Sequence, residues 1–407
     1  MPLIVEKFGG TSVGSVERIK VVASGLAERQ AKGEKIVVVV SAMSGQTNNL
    51  IKLAHELNET PSPREMDVLM STGEQVTIAL LSMALHDLGL QAKSYTGAQI
   101  RMLTDSSHMK ARIENIDVEK IHRDLDQGNI IVAAGFQGVD PDGNITTLGR
   151  GGSDTSAVAI AAALKADECR IYTDVDGIYT TDPRIVPQAR RLKQITFEEM
   201  LELASLGAKV LQTRSVEFAG KYKVPLRVLS SFEPDEGTLI TYDNEATQME
   251  APLISGVAFN RDEVMFTVRG IPDQPGVANK VLGPVSAENI NVDLIVQNIS
   301  PDGKSNFTFT TNRTELSKCK TVLDEVVEKI GADELVINSD IAKISVVGVG
   351  MVSHAGVAAQ MFSALGEESV NIELISTSEI KISVIVKEKY TELAVKTLHE
   401  TFGLESL

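Results

Sequence analysis

Two short segments of this 407-residue chain are wholly apolar: Ile36–Val40 reads IVVVV and Ile130–Ala134 reads IIVAA. A strand with one face in water alternates apolar and polar residues, so strands of this kind must be covered on both faces. Helical patterns alternate with strands of this type through the first part of the chain. The sequence therefore predicts an open α/β fold with a mostly parallel sheet sandwiched by helices.

The predicted elements place the chemistry at one edge of this sheet. The predicted strands are Leu3–Lys7, Ile36–Ser41, Ile130–Phe136, Cys169–Thr173 and Leu226–Ser230. The predicted helices are Val16–Lys32, Gln46–Leu57, Pro63–Leu88, Thr155–Lys165 and Phe197–Ala204. Ligands of open α/β sheets bind beyond the carboxyl ends of the strands, so we expect functional residues directly after them.

Charge and composition exclude several classes of protein. Lys and Arg number 39 against 55 Asp and Glu, a net charge of −16 that argues against binding nucleic acid or anionic membranes. No apolar run reaches the ~18–20 residues of a membrane helix, and the N-terminus lacks a signal-peptide pattern. The two cysteines and six histidines show no metal-ligand spacing. We expect a cytoplasmic protein with no metal site built from its own side chains.

A polar stretch, Asp243–Pro252, precedes a duplicated region. Gly276-Val-Ala matches Gly356-Val-Ala, and Asn291–Ile295 matches Asn371–Ile375, both at an offset of 80 residues. Each copy predicts a small α+β module of βαββαβ type. The predicted divisions are a first domain over 1–243, a linker and entry segment over 244–263, and modules over 264–340 and 341–407.

The opening strand runs into the sequence KFGGTSV, which begins at Lys7. Gly9 and Gly10 allow backbone N–H groups to approach an anion, and Lys7 adds a positive charge. The spacing fits neither a Walker A loop nor a dinucleotide fingerprint. A tight turn with a surface lysine explains the two glycines equally well.

Small hydroxyl residues follow the second strand in the segment Ser41–Gly45, SAMSG, and Thr47 is the predicted N-cap of the next helix. Hydroxyl groups before a helix N-terminus suit a carboxylate or a phosphate. Plain helix capping is the alternative interpretation.

A third motif, TLGRGGSD over Thr147–Asp154, leads into an Ala-rich helix. Arg150 can hold a carboxylate with two hydrogen bonds. Asp154 can fix lysines or a divalent cation near phosphate. A flexible loop is the alternative.

The acidic segment Thr173–Arg184 follows another strand and suits either a nucleotide-binding loop or a surface turn. Calcium is disfavoured because Asp174-x-Asp176 lacks the remaining EF-hand ligands. Two single residues also stand out: Glu74 in a helical region and Lys209 in an apolar setting.

These motifs, KFGGTSV, SAMSG, STGE, GRGGSD, TDVDGIYTTDPR and GAKVL, stand in this order ahead of two modules, and the chain resembles the aspartate kinase family. The resemblance covers essentially the whole chain. It implies an amino-acid kinase fold followed by two ferredoxin-like ACT modules. It also implies transfer of phosphate from ATP to L-aspartate with Mg²⁺, which opens lysine, threonine and methionine biosynthesis.

The resemblance also implies roles for individual residues. Lys7 would contact the transferred phosphoryl group, Lys209 the ATP phosphates, and Asp154 would orient both lysines and the magnesium shell. The implied catalytic residues are Lys7, Ser41, Asp154 and Lys209. The implied substrate-binding residues are Thr47, Glu74, Arg150, Gly151, Gly152 and Ser153. The implied nucleotide-binding residues are Lys7, Phe8, Gly9, Gly10, Ser41, Thr173, Asp174, Tyr179, Asp182, Arg184, Lys209 and Val210.

For the modules, the resemblance implies feedback inhibition by lysine, threonine or both. In the first copy, the expected effector residues are Asp273, Gln274, Gly276, Val277, Ala278, Asn291, Asp293 and Gln297. In the second copy they are Ser353, His354, Gly356, Val357 and Asn371. Pairing of module edge strands between chains would form a homodimer. Met249 is a candidate internal start for a separately translated regulatory part, and one or both copies could serve dimerisation alone.

Three other functions remain as alternatives to this assignment. The first is a kinase for another acidic amino acid such as glutamate or acetylglutamate, since one methylene separates the two substrates. The second is a non-catalytic sensor, disfavoured because Lys7, Arg150, Asp154 and Lys209 are all retained. The third is a hydride-transfer enzyme, which the missing dinucleotide fingerprint argues against.

Overall fold

The computed structural model describes residues 1–206, 210–242, 253–299, 303–354 and 356–406. They form two compact units. The first contains the described residues of 1–179, 191–205 and 210–242, and the second contains those of 180–190, 206 and 253–406.

The first unit alternates strands and helices. Its strands are β1 (Leu3–Phe8), β2 (Lys35–Val40), β3 (Ala92–Tyr95), β4 (Met102–Thr104), β5 (Ile113–Ile116), β6 (Ile130–Ala134), β7 (Gln137–Val139), β8 (Ile145–Thr147), β9 (Glu168–Thr173), β10 (Gln194–Thr196), β11 (Leu226–Ser230) and β12 (Thr238–Thr241). Its helices are α1 (Val16–Ala31), α2 (Gln46–Leu57), α3 (Pro63–Asp87), α4 (Glu119–Asp126), α5 (Gly152–Leu164), α6 (Phe197–Ser205) and α7 (Thr213–Tyr222).

The main sheet has the strand order β10-β12-β11-β9-β1-β2-β6-β3, and β4, β5, β7 and β8 form a smaller sheet. Neighbours in the main sheet are parallel except β11 and β12. Ile36, Val38 and Val40 share a core with α1 and α3, while α5 contacts β1, β2 and β9. The predicted sandwich of helices around a mostly parallel sheet is confirmed.

Helix α3 spans 25 residues and is apolar enough to cross a membrane by length and composition alone. Half of its most apolar stretch is buried inside the fold, which is the pattern of a core helix. The helix packs against β2, β3, β6 and β8 and carries buried polar groups, among them Asp67 and Glu74.

The second unit contains two sheets with helices. Its strands are β13 (Gly256–Asn260), β14 (Glu263–Pro272), β15 (Ile295–Ile299), β16 (Lys304–Asn312), β17 (Glu334–Asn338), β18 (Ile341–Val347), β19 (Leu374–Thr377) and β20 (Lys381–Lys387). Its helices are α8 (Val277–Ala287), α9 (Leu316–Ile330), α10 (Val357–Glu367) and α11 (Thr391–Thr401).

The first module has the sheet order β15-β16-β14-β17 and follows the predicted βαββαβ pattern. The second module differs from the prediction. Its sheet has the order β13-β18-β20-β19, and β13 precedes the whole first module in the chain. The predicted linker and entry segment therefore contains a strand of the second module, because Gly256–Asn260 pairs with the antiparallel strand β18.

A short segment between β9 and β10 also packs in the second unit. Val186 lies in the core of the second module with Val257 and Leu398. The Val257 N–H donates to the carbonyl of Thr180 at 2.7 Å, and the Thr180 hydroxyl meets His399 Nε2 at 2.9 Å. These contacts place residues 180–190 in the second unit, although the sequence divides the chain at 243.

Candidate functional site

A buried ion pair lies at the carboxyl end of β1. The Lys7 ammonium is 2.5 Å from Asp154 Oδ1, and both side chains are 11% exposed. Asp154 lies in the first turn of α5, which begins at Gly152, three residues earlier than predicted. The N-cap of this helix is Gly151, which has a φ of 69°. This left-handed conformation favours glycine, and the helix begins at the next residue.

The two glycines after β1 lie against other backbone. A Cβ on Gly10 would be 2.9 Å from the carbonyl oxygen of Ala42, and one on Gly9 would be 3.4 Å from the Lys7 ammonium. Phe8 points instead into the core, where its ring stacks on Tyr172 at 4.5 Å. The loop is thus close-packed between the ends of β1 and β2, with Lys7 beside it.

Glu74 of α3 reaches the end of β2. Its side chain is buried, and Oε1 accepts a hydrogen bond from the Ala42 N–H at 2.9 Å. Oε2 is buried with no hydrogen-bond partner among the described residues. Burial outweighs the Ala42 hydrogen bond and raises the pKa of Glu74 to about 7. A carboxylate in this state has a free acceptor for an ammonium group.

Thr47 is not the N-cap that the sequence predicted. Helix α2 begins at Gln46 and its N-cap is Gly45, with a φ of 79°. The left-handed turn at this position needs glycine, so Thr47 falls on the second helical residue, where it is half-buried. Ser41 lies just before this turn, and its N–H donates to the Phe8 carbonyl at 3.1 Å.

The end of β6 meets the start of α5. A Cβ on Gly135 would be 2.8 Å from Ser153 Oγ, and one on Gly152 would be 2.8 Å from the Phe136 ring. Phe136 has a φ of 69°, and its N–H donates to Ser156 Oγ at 3.0 Å. The sequence analysis missed Gly135, Phe136 and Ser156; the glycine directly after a buried strand was the available signal.

The structure thus brings several predicted residues to the adjoining carboxyl ends of β1, β2 and β6, on which α3 and α5 also converge. These residues are Lys7, Gly9, Gly10, Ser41, Glu74, Gly152, Ser153 and Asp154. Lys209 lies outside the described residues.

Arg150 lies between β8 and α5 and is exposed. Across the described parts of the chain, no ion pair or hydrogen bond occupies its guanidinium. A free guanidinium at the start of α5 adds positive charge to the helix N-terminus, and both features favour an anionic ligand.

The predicted nucleotide-binding residues divide between the two units. In the first unit, Thr173 Oγ1 donates to Asp174 at 3.1 Å, and the Tyr179 hydroxyl donates to Asp176 at 3.0 Å. Burial and this carboxylate together raise the pKa of Tyr179. In the second unit, Asp182 pairs with Arg184 at 2.7 Å. Val210, half-buried, follows the residues that are not described.

A pocket of about 370 Å³ opens in the first module. Its lining consists of Asp273, Gln274, Pro275, Gly276, Val277, Ala278 and Gln297. The Gln297 amide donates to Ser305 Oγ at 3.5 Å, and this hydroxyl donates to Asp273 at 3.2 Å. Gly276 caps α8 with a φ of 88°, so helix N–H groups face the pocket. The sequence analysis missed Ser305, which carries no motif.

Asn291 and Asp293, which were expected among the effector residues, do not line this pocket. They precede β15, and the Asn291 carbonyl accepts from Thr311 at 2.6 Å. Asp293 instead pairs with Lys343, which also contacts Glu263 at 2.6 Å. Burial alone would lower the pKa of Lys343, but the two carboxylates outweigh it and raise that pKa.

The second copy repeats the helix start of the first. Gly356 caps α10 with a φ of 104°, and Val357 is buried at the first helical position. His354 Nδ1 is 2.8 Å from the Gly350 carbonyl, and Asn371 is exposed before β19. The side chain of Ser353 lies outside the description.

Comparison with known proteins identifies both parts of the chain. The amino acid kinase family model matches residues 2–230, and ACT domain models match residues 266–328 and 344–402. The aspartate kinase of Pseudomonas putida is 64% identical over 406 residues, covering 100% of this chain and 98% of its own.

Two solved structures of E. coli aspartokinase III, each 27% identical, cover 98% of this chain and 99% of their own. The structure with aspartate and ADP, in the R-state, has a TM-score of 0.82. The structure with lysine and aspartate, in the T-state, has a TM-score of 0.77. The predicted fold and the resemblance are both confirmed: this chain belongs to the aspartate kinase family, with an amino-acid kinase domain followed by two ACT domains.

Proposed function

We propose that this aspartate kinase transfers the γ-phosphoryl group of ATP to the side-chain carboxylate of L-aspartate, giving 4-phospho-L-aspartate and ADP at the site around Lys7. The observation that carries this proposal is the Lys7–Asp154 pair beside Gly9 and Gly10, close to the free carboxylate oxygen of Glu74. The E. coli aspartokinase III structure with aspartate and ADP supports the choice of substrates.

The chemistry requires charge neutralisation more than proton transfer. The attacking carboxylate is ionised at pH 7 because its ordinary pKa is about 4, so no general base is needed. The barrier arises because one anion must approach another. Asp154 holds the Lys7 ammonium in place before substrates arrive, so the positive charge is already oriented toward the transferred phosphoryl group.

The substrate would be held at both of its α-substituents. Glu74 would accept the ammonium through its unpartnered oxygen, and Arg150 would take the α-carboxylate, assisted by Thr47. Gly151, Gly152 and Ser153, at the start of α5, would also line the site, as would Ser41 at the end of β2. With its α-ammonium and α-carboxylate both bound, the substrate has its side-chain carboxylate free to act as the nucleophile.

The nucleotide would bind to residues at and after the end of β9. Thr173, Asp174, Tyr179, Asp182 and Arg184 would contact the nucleoside, while Lys209 and Val210 would approach the phosphates. The residues present suit Mg²⁺ bound mainly through ATP: the described chain has no cluster of three metal-binding side chains, and Asp154 supplies one carboxylate. Mg²⁺ would neutralise phosphate charge.

The ACT modules would regulate this activity at the start of lysine, threonine and methionine biosynthesis. The pocket around Asp273 and Gln297 suits a small amino acid, and E. coli aspartokinase III has been solved with lysine. The edge strands β15 and β19 expose Ile295, Ile299 and Ile375, which suits pairing into a homodimer in the cytoplasm. Met249, the candidate internal start, lies outside the described residues.

The test is ADP release with Mg-ATP and either aspartate or glutamate, repeated with lysine and threonine singly and together. Turnover that depends on aspartate and is suppressed by an effector supports both parts of the proposal. Turnover without suppression leaves the modules as assembly elements. Turnover with glutamate but not aspartate contradicts the proposed substrate.

A further inference from the structure

Asp67 is a fully buried carboxylate on α3 that none of the motifs includes. Its oxygens accept three kinds of hydrogen bond: from Thr147 Oγ1 at 2.5 Å, from His108 Nδ1 at 2.7 Å, and from the Met109 N–H at 3.0 Å. Burying a carboxylate costs free energy unless its lone pairs accept hydrogen bonds. The buried Asp67 therefore favours a conformation in which all three partners stay within hydrogen-bond distance of it.

The partners of Asp67 belong to two segments near Arg150, the proposed ligand of the substrate α-carboxylate. Thr147 ends β8, three residues before Arg150. Met109 lies in the segment that packs on this loop, since a Cβ on Gly149 would be 3.0 Å from its carbonyl oxygen. The Ala111 N–H also donates to the Thr147 carbonyl at 2.9 Å. Asp67 therefore holds both segments from the α3 side.

Arg214 of α7 holds the same two segments through their carbonyls. Its Nη1 donates to the Leu148 carbonyl at 3.0 Å, and its Nη2 donates to the Ala111 carbonyl at 2.9 Å. The planar guanidinium presents its N–H donors in a fixed geometry, so it fixes the two acceptors relative to each other. The loop that carries Arg150 is thus restrained by an anion on α3 and a cation on α7.

Helix α3 also carries Glu74, seven residues or two helical turns after Asp67, on the same face. One rigid helix therefore carries the proposed ligand of the substrate ammonium and the anchor of the loop that holds its α-carboxylate. We propose that Asp67 and Arg214 are positioning residues that fix Arg150 relative to Glu74, and so set the affinity for aspartate. This inference rests on the proposed roles of Arg150 and Glu74.

Neighbouring threonines of β8 provide a matched test. Thr147→Val removes the hydroxyl that donates to Asp67. Thr146→Val removes an equally buried hydroxyl, which bonds Thr104 Oγ1 at 2.6 Å instead. We expect Thr147→Val to raise the KM for aspartate about tenfold, the size typical of losing one hydrogen bond to a charged group. The KM for ATP should change less than about twofold, and Thr147→Ser should restore the aspartate KM.

The control should separate positioning from loss of stability. Thr146→Val should also lower the melting temperature, while leaving the aspartate KM within about twofold of the wild-type value. Equal rises in KM for both variants would overturn the inference, because strand stability would explain them. Arg214→Met, on a different element, should repeat the selective rise in the aspartate KM.

Arg150→Lys, measured in parallel, distinguishes failure of this inference from failure of the proposed function. A raised aspartate KM in Arg150→Lys with an unchanged KM in Thr147→Val and Arg214→Met overturns positioning alone. An unchanged KM in Arg150→Lys shows that the role assigned to Arg150 is wrong, and the inference falls with it.

Discussion

The Lys7 ammonium forms an ion pair with a carboxylate of the protein itself, so its position is fixed before any substrate binds. Because its 2.5 Å partner Asp154 is on the rigid start of α5, the ammonium cannot swing into solvent as a surface lysine does. In the proposed reaction, a preorganised charge of this kind would need no reorganisation as phosphoryl charge develops, and it would stabilise the transition state more than the ground state.

Lys7→Ala is therefore expected to lower kcat by about 10²–10³-fold, with a much smaller change in ATP affinity. Steady-state kinetics and calorimetric titration of ATP would measure the two effects separately. Lys35→Ala is a suitable control, because it removes a lysine near the start of β2 that pairs with Asp126 at the surface. Unchanged kcat with a raised KM for ATP would refute a transition-state role for Lys7.

Burial of Glu74 lowers the stability of the fold, and its proposed role as ligand of the substrate ammonium explains why that cost is retained. In the folded chain its pKa is about 7, against about 4.3 when unfolded, so between these values only the folded state holds the proton. The free energy of unfolding therefore falls as pH rises from about 4 through 7. The same burial leaves one carboxylate oxygen available for the substrate ammonium.

Glu74→Gln should consequently stabilise the fold at pH 8 relative to wild type by about 1–3 kcal/mol, with a smaller difference at pH 5. Its KM for aspartate should rise at least about tenfold, because the ammonium loses a charged partner. Urea unfolding at both pH values tests the first expectation. Glu65→Gln, an exposed change on the same helix, is the control; an equal stability difference at both pH values would contradict the argument.

Motifs identify residues by type, whereas partners depend on the fold. KFGGTSV and GRGGSD indicated Lys7 and Asp154 as functional residues, with Asp154 orienting the lysine, and the structure gives the 2.5 Å distance between them. Asp67 and Ser305 escaped notice because a single Asp or Ser has no pattern until its hydrogen-bond partners are known. Thr47 was misassigned as a cap because the left-handed turn at Gly45 cannot be read from composition.

Strands and helices were predictable where burial imposes a strong pattern. β2 and β6 are apolar on both faces because they are interior strands of the sheet, and their sequences show it directly. β13 was missed because five residues beside a polar stretch carry little pattern. Its assignment depends on β18, a strand remote in sequence, and no local signal indicates such pairing.

Ala258→Pro would test the role of β13. The Val257 N–H points to Thr180, so by alternation the Ala258 N–H faces β18 and a proline there removes a ladder hydrogen bond. We expect amide exchange in β18 and β20 to quicken at least about tenfold. Amides of β14 and β16 in the first module serve as an internal control. Equal loss of protection in both modules would show that they do not unfold separately.

The two modules begin a helix in a similar way, which makes the second unit partly symmetric. Gly276 and Gly356 both cap a helix in the left-handed conformation, and a Cβ on either would meet nothing within 4 Å. Alanine at each position therefore imposes the same backbone strain and no clash. The repeat at an offset of 80 residues predicted this likeness, but not the pocket in the first copy.

Gly276→Ala and Gly356→Ala form a matched pair for locating the effector. If the effector binds around Asp273 in the first copy, Gly276→Ala should raise the half-inhibitory concentration about 5–30-fold, as strain of 1–2 kcal/mol would give. Gly356→Ala should leave it within about twofold. Inhibition curves with lysine and threonine would show this, and a larger shift for Gly356→Ala would place the effector in the second copy.

The position of β13 also fixes an order of events during synthesis on the ribosome. About 80 residues separate the end of β13 at Asn260 from the start of its partner at Ile341. At 5–20 residues per second, the emerging strand waits roughly 4–16 s for β18. All strands of the first module are synthesised in that interval, because β17 ends at Asn338, so the first ACT domain should fold before the second.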